Sequence, residues 1–171
     1  MGGRVLVAYA SWVGSTAEVA EVVAEVLREG GAAVDVQPAR KVRDLTHYRA
    51  VVLGTAVRIG RVHGDAPKFV QKYRAALSQM PVAYFAVCLT MQQDTEENRC
   101  TAKGYLDALS RKAPQVQPVD VGLFGGLLDL ERLSGLTKKV MASDQFPKGD
   151  FRDWEAIRAW AAHVRPLLLG G

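Results

Sequence analysis

Apolar residues along the chain fall into short, nearly continuous runs alternating with stretches of helical spacing. Arg4-Val5-Leu6-Val7-Ala8-Tyr9, Ala32 to Gln37, Ala50 to Thr55, Val82 to Leu89 and Val119 to Phe124 are the continuous runs. They are short and rich in β-branched residues, which suits strands buried on both faces. Between them, Val19, Val22, Val23, Val26 and Leu27 recur at helical spacing, predicting a helix from about Thr16 to Arg28 that stops at Gly30-Gly31. A second helix opens at Pro67, with Phe69, Val70, Tyr73, Ala76 and Leu77 on its apolar face. A third spans Arg99 to Lys112, with Tyr105, Leu106 and Leu109 inward. The last starts at Asp153, a suitable N-cap, and turns Trp154, Ile157, Ala161 and Val164 to the core. Leu127 to Ser143 reads as one amphipathic segment with Leu130, Leu133, Leu136 and Val140 on one side. It suits a lid, a packed surface helix or a partner-docking face.

Strands that alternate with helices predict an α/β fold, a doubly wound parallel sheet covered on both faces. Ligands of such sheets bind beyond the carboxyl ends of the strands, where strand order reverses. In the order 2-1-3-4-5, the turns after the first, third and fourth strands meet there. The first turn, Ser11-Trp12-Val13-Gly14-Ser15-Thr16, is also a helix N-terminus, whose free N–H groups and dipole favour an anion. Ser11, Ser15 and Thr16 add hydroxyls, and Gly14 lets a ligand approach the backbone. The turn has no Lys and fits neither the P-loop nor G-x-G-x-x-G, which disfavours a nucleoside triphosphate and suits a phosphate monoester. The competing reading is that Ser15 or Thr16 simply caps the helix.

Composition narrows the picture. The chain has 171 residues, enough for one domain spanning 1–171, and a formal charge of +4. That excess is too small and too scattered for a dedicated nucleic-acid binder. Cys88 and Cys100 form no C-x-x-C, so no metal site is expected. No leader and no membrane-spanning run is visible, so a cytoplasmic protein is expected.

The first turn, closing on Gly-x-Thr, resembles the phosphate loop of the flavodoxin-like FMN proteins. Gly54-Thr55-Ala56-Val57-Arg58-Ile59-Gly60-Arg61-Val62-His63 is similar to the second flavin loop of the menaquinone-dependent protoporphyrinogen oxidase branch of that family. Met80 to Val87 resembles the branch's fourth strand, and Asp153-Trp154-Glu155-Ala156-Ile157 the start of its last helix. The resemblance implies a flavodoxin-like five-stranded sheet and an FMN cofactor. It implies that Ser11, Trp12, Val13, Gly14, Ser15 and Thr16 hold the phosphate, while Ala56, Val57, Arg58, Ile59 and Gly60, with Leu89, Thr90 and Met91, flank the ring. It also implies an oxidoreductase that passes electrons from an organic donor to a quinone or another acceptor.

The alternatives within the fold are an electron carrier between partner proteins and a cofactor-free binding module. No residue stands out as catalytic, and His63 is a candidate by position alone. Arg58, Arg61, His63 and Lys68 suit an anionic small-molecule partner, or else a solvated loop. A homodimer and peripheral membrane contact are compatible with the sequence. The chain departs from the family in having Trp12 as its only loop aromatic. Its Leu127 to Lys148 segment is also shorter than the branch's, with Phe146 its one aromatic.

Overall fold

The computed structural model describes residues 3–170. Strand β1 (Arg4–Ala10) leads into helix α1 (Ser15–Glu29), then β2 (Val34–Pro38) and a 3-10 turn at Ala39–Lys41. Strand β3 (Tyr48–Arg58) folds back on β4 (Arg61–Val62), and α2 (Asp65–Lys72) and α3 (Arg74–Leu77) follow. Then come β5 (Val82–Cys88), a 3-10 turn at Leu89–Gln92, α4 (Glu96–Tyr105) and α5 (Asp107–Lys112). Strand β6 (Asp120–Gly125) precedes a tiny strand β7 (Leu127–Leu128), a 3-10 turn at Leu130–Arg132, α6 (Gly135–Met141), β8 (Gly149–Asp150) and α7 (Trp154–Leu169).

The main sheet runs β2-β1-β3-β5-β6, all parallel, with β4 hydrogen-bonded antiparallel to β3. With the β4 hairpin set aside, this is the 2-1-3-4-5 order expected from the sequence. Alternate residues of each strand feed opposite cores, as the pleat requires. Val5, Val7, Val52 and Phe85 pack under α1 and α7, whereas Leu6, Ala8, Leu53 and Tyr84 pack under α2, α3 and α5. Phe85, Phe124 and Trp160 meet at tilted or edge-on angles with centroids 5.6–5.9 Å apart, and the Trp160 indole N–H donates to Asp120 at 2.8 Å. Asp153 caps α7 by accepting from the Ala156 N–H at 3.0 Å.

Three expectations change. The third strand is longer than Ala50 to Thr55 because Arg58 pairs with Arg61 around a two-residue turn. The second and third helices are each broken, at Tyr73 and at Leu106. The Tyr73 backbone leaves helical geometry while its hydroxyl donates to the Val42 carbonyl at 2.7 Å. Leu127 to Ser143 is not one amphipathic helix. Asp129 turns the chain by accepting from the Glu131 N–H at 3.0 Å, and Gly135 at φ 59° interrupts it again. As a result Leu136 and Val140 face solvent, and Met141 is the buried residue of α6. No helix among the described residues is long and apolar enough to cross a membrane.

The sheet is tightest where Gly54 of β3 lies under the Phe85 ring: a Cβ at Gly54 would sit 2.0 Å from Phe85 Cζ. Gly54→Ala is therefore expected to lower stability by about 1–3 kcal/mol through overpacking, read as a lower urea midpoint with unchanged slope. In the Phe85→Leu background the same change should cost less. Equal costs in both backgrounds would show that the ring is not what the methyl strikes.

Candidate functional site

Strands β1, β3 and β5 end side by side, and the turns that follow them meet at this edge of the sheet. In the first turn the Ser11 hydroxyl accepts from the Gly14 N–H at 2.9 Å, and Gly14 takes φ 95° at the N-cap of α1. No side chain caps α1, so the capping role weighed for Ser15 or Thr16 is not what the hydroxyls do. Thr16 is fully buried, and its hydroxyl has no hydrogen-bond partner among the described residues. A buried, unpaired hydroxyl costs free energy unless something satisfies it.

The second turn is a tight hairpin. Ile59 (φ 49°) and Gly60 (φ 73°) both occupy the left-handed region, the geometry of a type I′ turn. The hairpin delivers two side chains to Trp12 of the first turn. The Arg58 guanidinium lies 4.4 Å from the indole centroid, and the His63 ring 4.7 Å from it at a 49° tilt. Behind them, the His63 N–H donates to the Ala56 carbonyl at 3.0 Å, and the Asp65 N–H donates to His63 Nδ1 at 3.1 Å. Nδ1 therefore acts as an acceptor, which fits a neutral ring. Arg58 is half-buried and pairs with no carboxylate among the described residues, and burial lowers its pKa. Arg61 and Lys68 stay in solvent.

The third turn is a 3-10 coil in which the Thr90 and Tyr105 hydroxyls share a hydrogen bond at 3.0 Å. Two adjoining cavities result. The inner one is narrow and lies against Trp12, Val13, Ser15, Ala56, Val57, Arg58 and Leu89. The outer one lies against Val57 through Gly60, Leu89, Thr90 and Tyr105. Ser11, Gly14 and Thr16 line neither cavity. Met91 packs instead with Cys88 and Ala102 in a small separate core.

The sequence left the far wall, the Leu127 to Ser143 segment, open between a lid, a packed surface helix and a docking face, and did not assign its residues to the site. Leu127, Leu128, Asp129, Arg132, Leu133 and Met141 close the inner cavity, and Gln145, Phe146 and Pro147 border the outer one. The available signal was Gly125-Gly126. A Cβ on Gly125 would strike the Phe151 carbonyl at 2.1 Å, so the chain crosses itself closely at the root of this wall. The root is also clamped electrostatically. Arg152, its side chain 7% exposed, donates to Asp150 at 2.8 Å, to Glu18 and to the Ser15 carbonyl. Arg132 reaches Glu18 at 3.3 Å. The Arg152 hydrogen bond, helped by Arg132, holds the Glu18 carboxyl below its usual range against the opposing effect of burial.

His63 gives a pH signature. Burial lowers its pKa below 6.5, and the cations Arg40, Arg58 and Lys68 reinforce this against Asp65. Between the ordinary value and the lower native one, the unfolded chain takes up a proton that the folded chain refuses. Stability should thus fall as pH drops below about 6.5 and level off beneath the native pKa. The lowered carboxylates Glu18, Asp35, Asp44, Asp94 and Asp150 act only at more acid pH. Urea midpoints between about pH 7.5 and pH 5 should show this slope, and His63→Gln should flatten it. An unchanged slope in the variant would assign it elsewhere.

Known proteins share this architecture. The chain is 29% identical, over an alignment 178 positions long with gaps, to Protoporphyrinogen IX dehydrogenase (quinone) of Escherichia coli strain K12, covering 96% of each chain. It is 26% identical over 134 residues to the protein of that name in Leishmania major, covering 73% of this chain and 57% of that one. NAD(P)H dehydrogenase (quinone) of Methylocella silvestris is 32% identical over 91 residues, covering 40% of this chain and 46% of that one. Among solved structures, a flavodoxin from the domain Archaea superposes with TM-score 0.58 at 16% identity, covering 96% of this chain and 98% of that one. Oxidised Flavodoxin 2 from Bacillus cereus gives TM-score 0.58 at 18% identity, covering 92% and 94%. The Flavodoxin domain profile matches residues 6–148, a span holding all three turns, and the chain belongs to that family.

Proposed function

We propose that this chain is an FMN-dependent oxidoreductase that takes reducing equivalents from an organic donor and passes them to a quinone or another small acceptor. The observation that carries the reading is the Thr16 hydroxyl, buried without a partner in the first turn of a helix that no side chain caps. Such a terminus with free N–H groups and a spare hydroxyl fits a phosphate monoester. The names of the relatives, quinone dehydrogenases of two kinds, supply the reaction class.

On this reading Ser11 through Thr16 hold the phosphate, and Gly14 is needed there for its φ of 95°. Crowding is not the reason, since a Cβ at Gly14 would meet nothing within 4 Å. Ala56 through Gly60, together with Leu89 and Thr90, border the ring, with Met91 supporting them from the core behind. FMN, when bound, supplies a flavin able to accept two reducing equivalents and release them to an acceptor. Arg58, without a carboxylate partner among the described residues, sets a positive potential beside both cavities, which favours anionic reactants. Leu128, Leu133 and Met141 keep water from the inner cavity.

The first test is whether the purified protein keeps a flavin spectrum after FMN addition and desalting. Thr16→Val sharpens it. Removing a hydrogen bond to a charged phosphate should weaken FMN binding about tenfold or more. Deleting an unsatisfied buried hydroxyl should leave the apoprotein as stable or more stable by about 1 kcal/mol. Unchanged FMN affinity in the folded variant would take the hydroxyl out of the site. Stepwise reduction and turnover with quinone acceptors then separate an enzyme from an electron carrier. A protein that retains no FMN leaves the cofactor-free module in front.

A further inference from the structure

The wall that closes the inner cavity is anchored at its root and barely held at its tip. At the root, Leu127 pairs with Asp150 and Leu128 with Gly149, and the Phe151 N–H donates to the Gly126 carbonyl at 2.9 Å. At the tip, the seven-residue helix α6 buries one side chain, Met141, which is 4% exposed. On the same helix Leu136 is 76% exposed and Val140 40%. Met141 touches both cavities and stands at the wall they share. Gly135 (φ 59°) and Gly149 (φ 130°) lie on either side, both in backbone conformations that other residues resist.

We propose that α6 is a lid over the cavity, latched by Met141 and turning about Gly135 and Gly149. A helix this short has little stability of its own. With a single buried side chain holding it, it opens locally at far lower cost than the sheet unfolds. Lifting Met141 merges the inner and outer cavities into one space, and reseating it closes the inner one again. The identity of what enters rests on the FMN reading, but the opening does not.

Amide hydrogen exchange on the full-length apoprotein tests the latch. In the wild type, amides of residues 138–142, the ones hydrogen-bonded within the helix, should exchange by local opening, independently of β5. Met141→Ala should speed them at least about tenfold, as loss of a buried methionine side chain implies, and leave β5 amides unchanged. Met141→Leu should retain the wild-type rate. Exchange of α6 at the global unfolding rate, or no acceleration in Met141→Ala, would overturn the latch. Saturating FMN should then slow α6 exchange at least about tenfold, as a ligand held under the lid requires. Tight FMN binding with α6 exchange unchanged would overturn the lid as a cover for the cofactor. Failure of FMN to bind would overturn the cofactor reading alone, because the apoprotein measurements judge the latch without it.

Discussion

The structure depends on a sheet whose central strands are sealed on both faces. Residues Val5 to Ala8 of β1, Ala50 to Leu53 of β3 and Ala83 to Ala86 of β5 are essentially removed from solvent. Inside such a slab every backbone polar group must be spent on the ladder. Free N–H groups, hydroxyls and charges can therefore collect only where the strands run out. Because β1, β3 and β5 are adjacent and parallel, their exits lie at the same edge. The site follows from the burial.

Charge at that edge is arranged in two ways. Arg152 is spent on Asp150, Glu18 and the Ser15 carbonyl, which ties the entry of α7 to the first turn of α1. Glu18 favours the helix dipole but repels any anion approaching the same turn. Its two arginine partners offset that repulsion, leaving N–H groups and hydroxyls to set the local preference. Arg58 has no such commitment. It rests on the Trp12 face, where a guanidinium is held by a modest attraction, and keeps its hydrogen-bond donors free for a ligand.

Strand order, core faces and the Asp153 cap were legible because each follows from a local pattern: continuous β-branched runs, helical spacing, and an acceptor just before a helix. The turns were legible as positions, since Gly14 and Gly60 mark where the backbone departs from ordinary conformations. Their contacts were not. Nothing in the spacing of Trp12, Arg58 and His63 shows that a hairpin stacks two of them on the third, because strand pairing beyond Thr55 extends a continuous apolar run into a polar one. The far wall was misread for a related reason. Leu130, Leu133, Leu136 and Val140 satisfy a helical period, but Asp129 and Gly135 turn the backbone before the period can be used. Leu133 of that stripe does reach the inner cavity, but from α6 itself the buried, cavity-facing side chain is Met141, which the stripe did not include.

Local costs gather at this edge. Ile59 is the described non-glycine residue with a positive φ, a poor conformation for a β-branched side chain, and it is exposed over the outer cavity. Thr16 keeps an orphaned hydroxyl, and Arg58 a half-buried charge without a carboxylate. The Tyr84 hydroxyl, unpaired on the opposite face of β5, is an exception that nothing nearby explains. Strain, an unsatisfied donor and an uncompensated cation each oppose folding by amounts comparable to single mutations. Arg58 and Ile59 border the cavities, and Thr16 directly follows Ser15, which lines the inner one. A negatively charged ligand that accepted from Thr16 would offset two of these costs, the orphaned hydroxyl and the Arg58 charge, while the Ile59 strain is a backbone cost fixed by the hairpin turn.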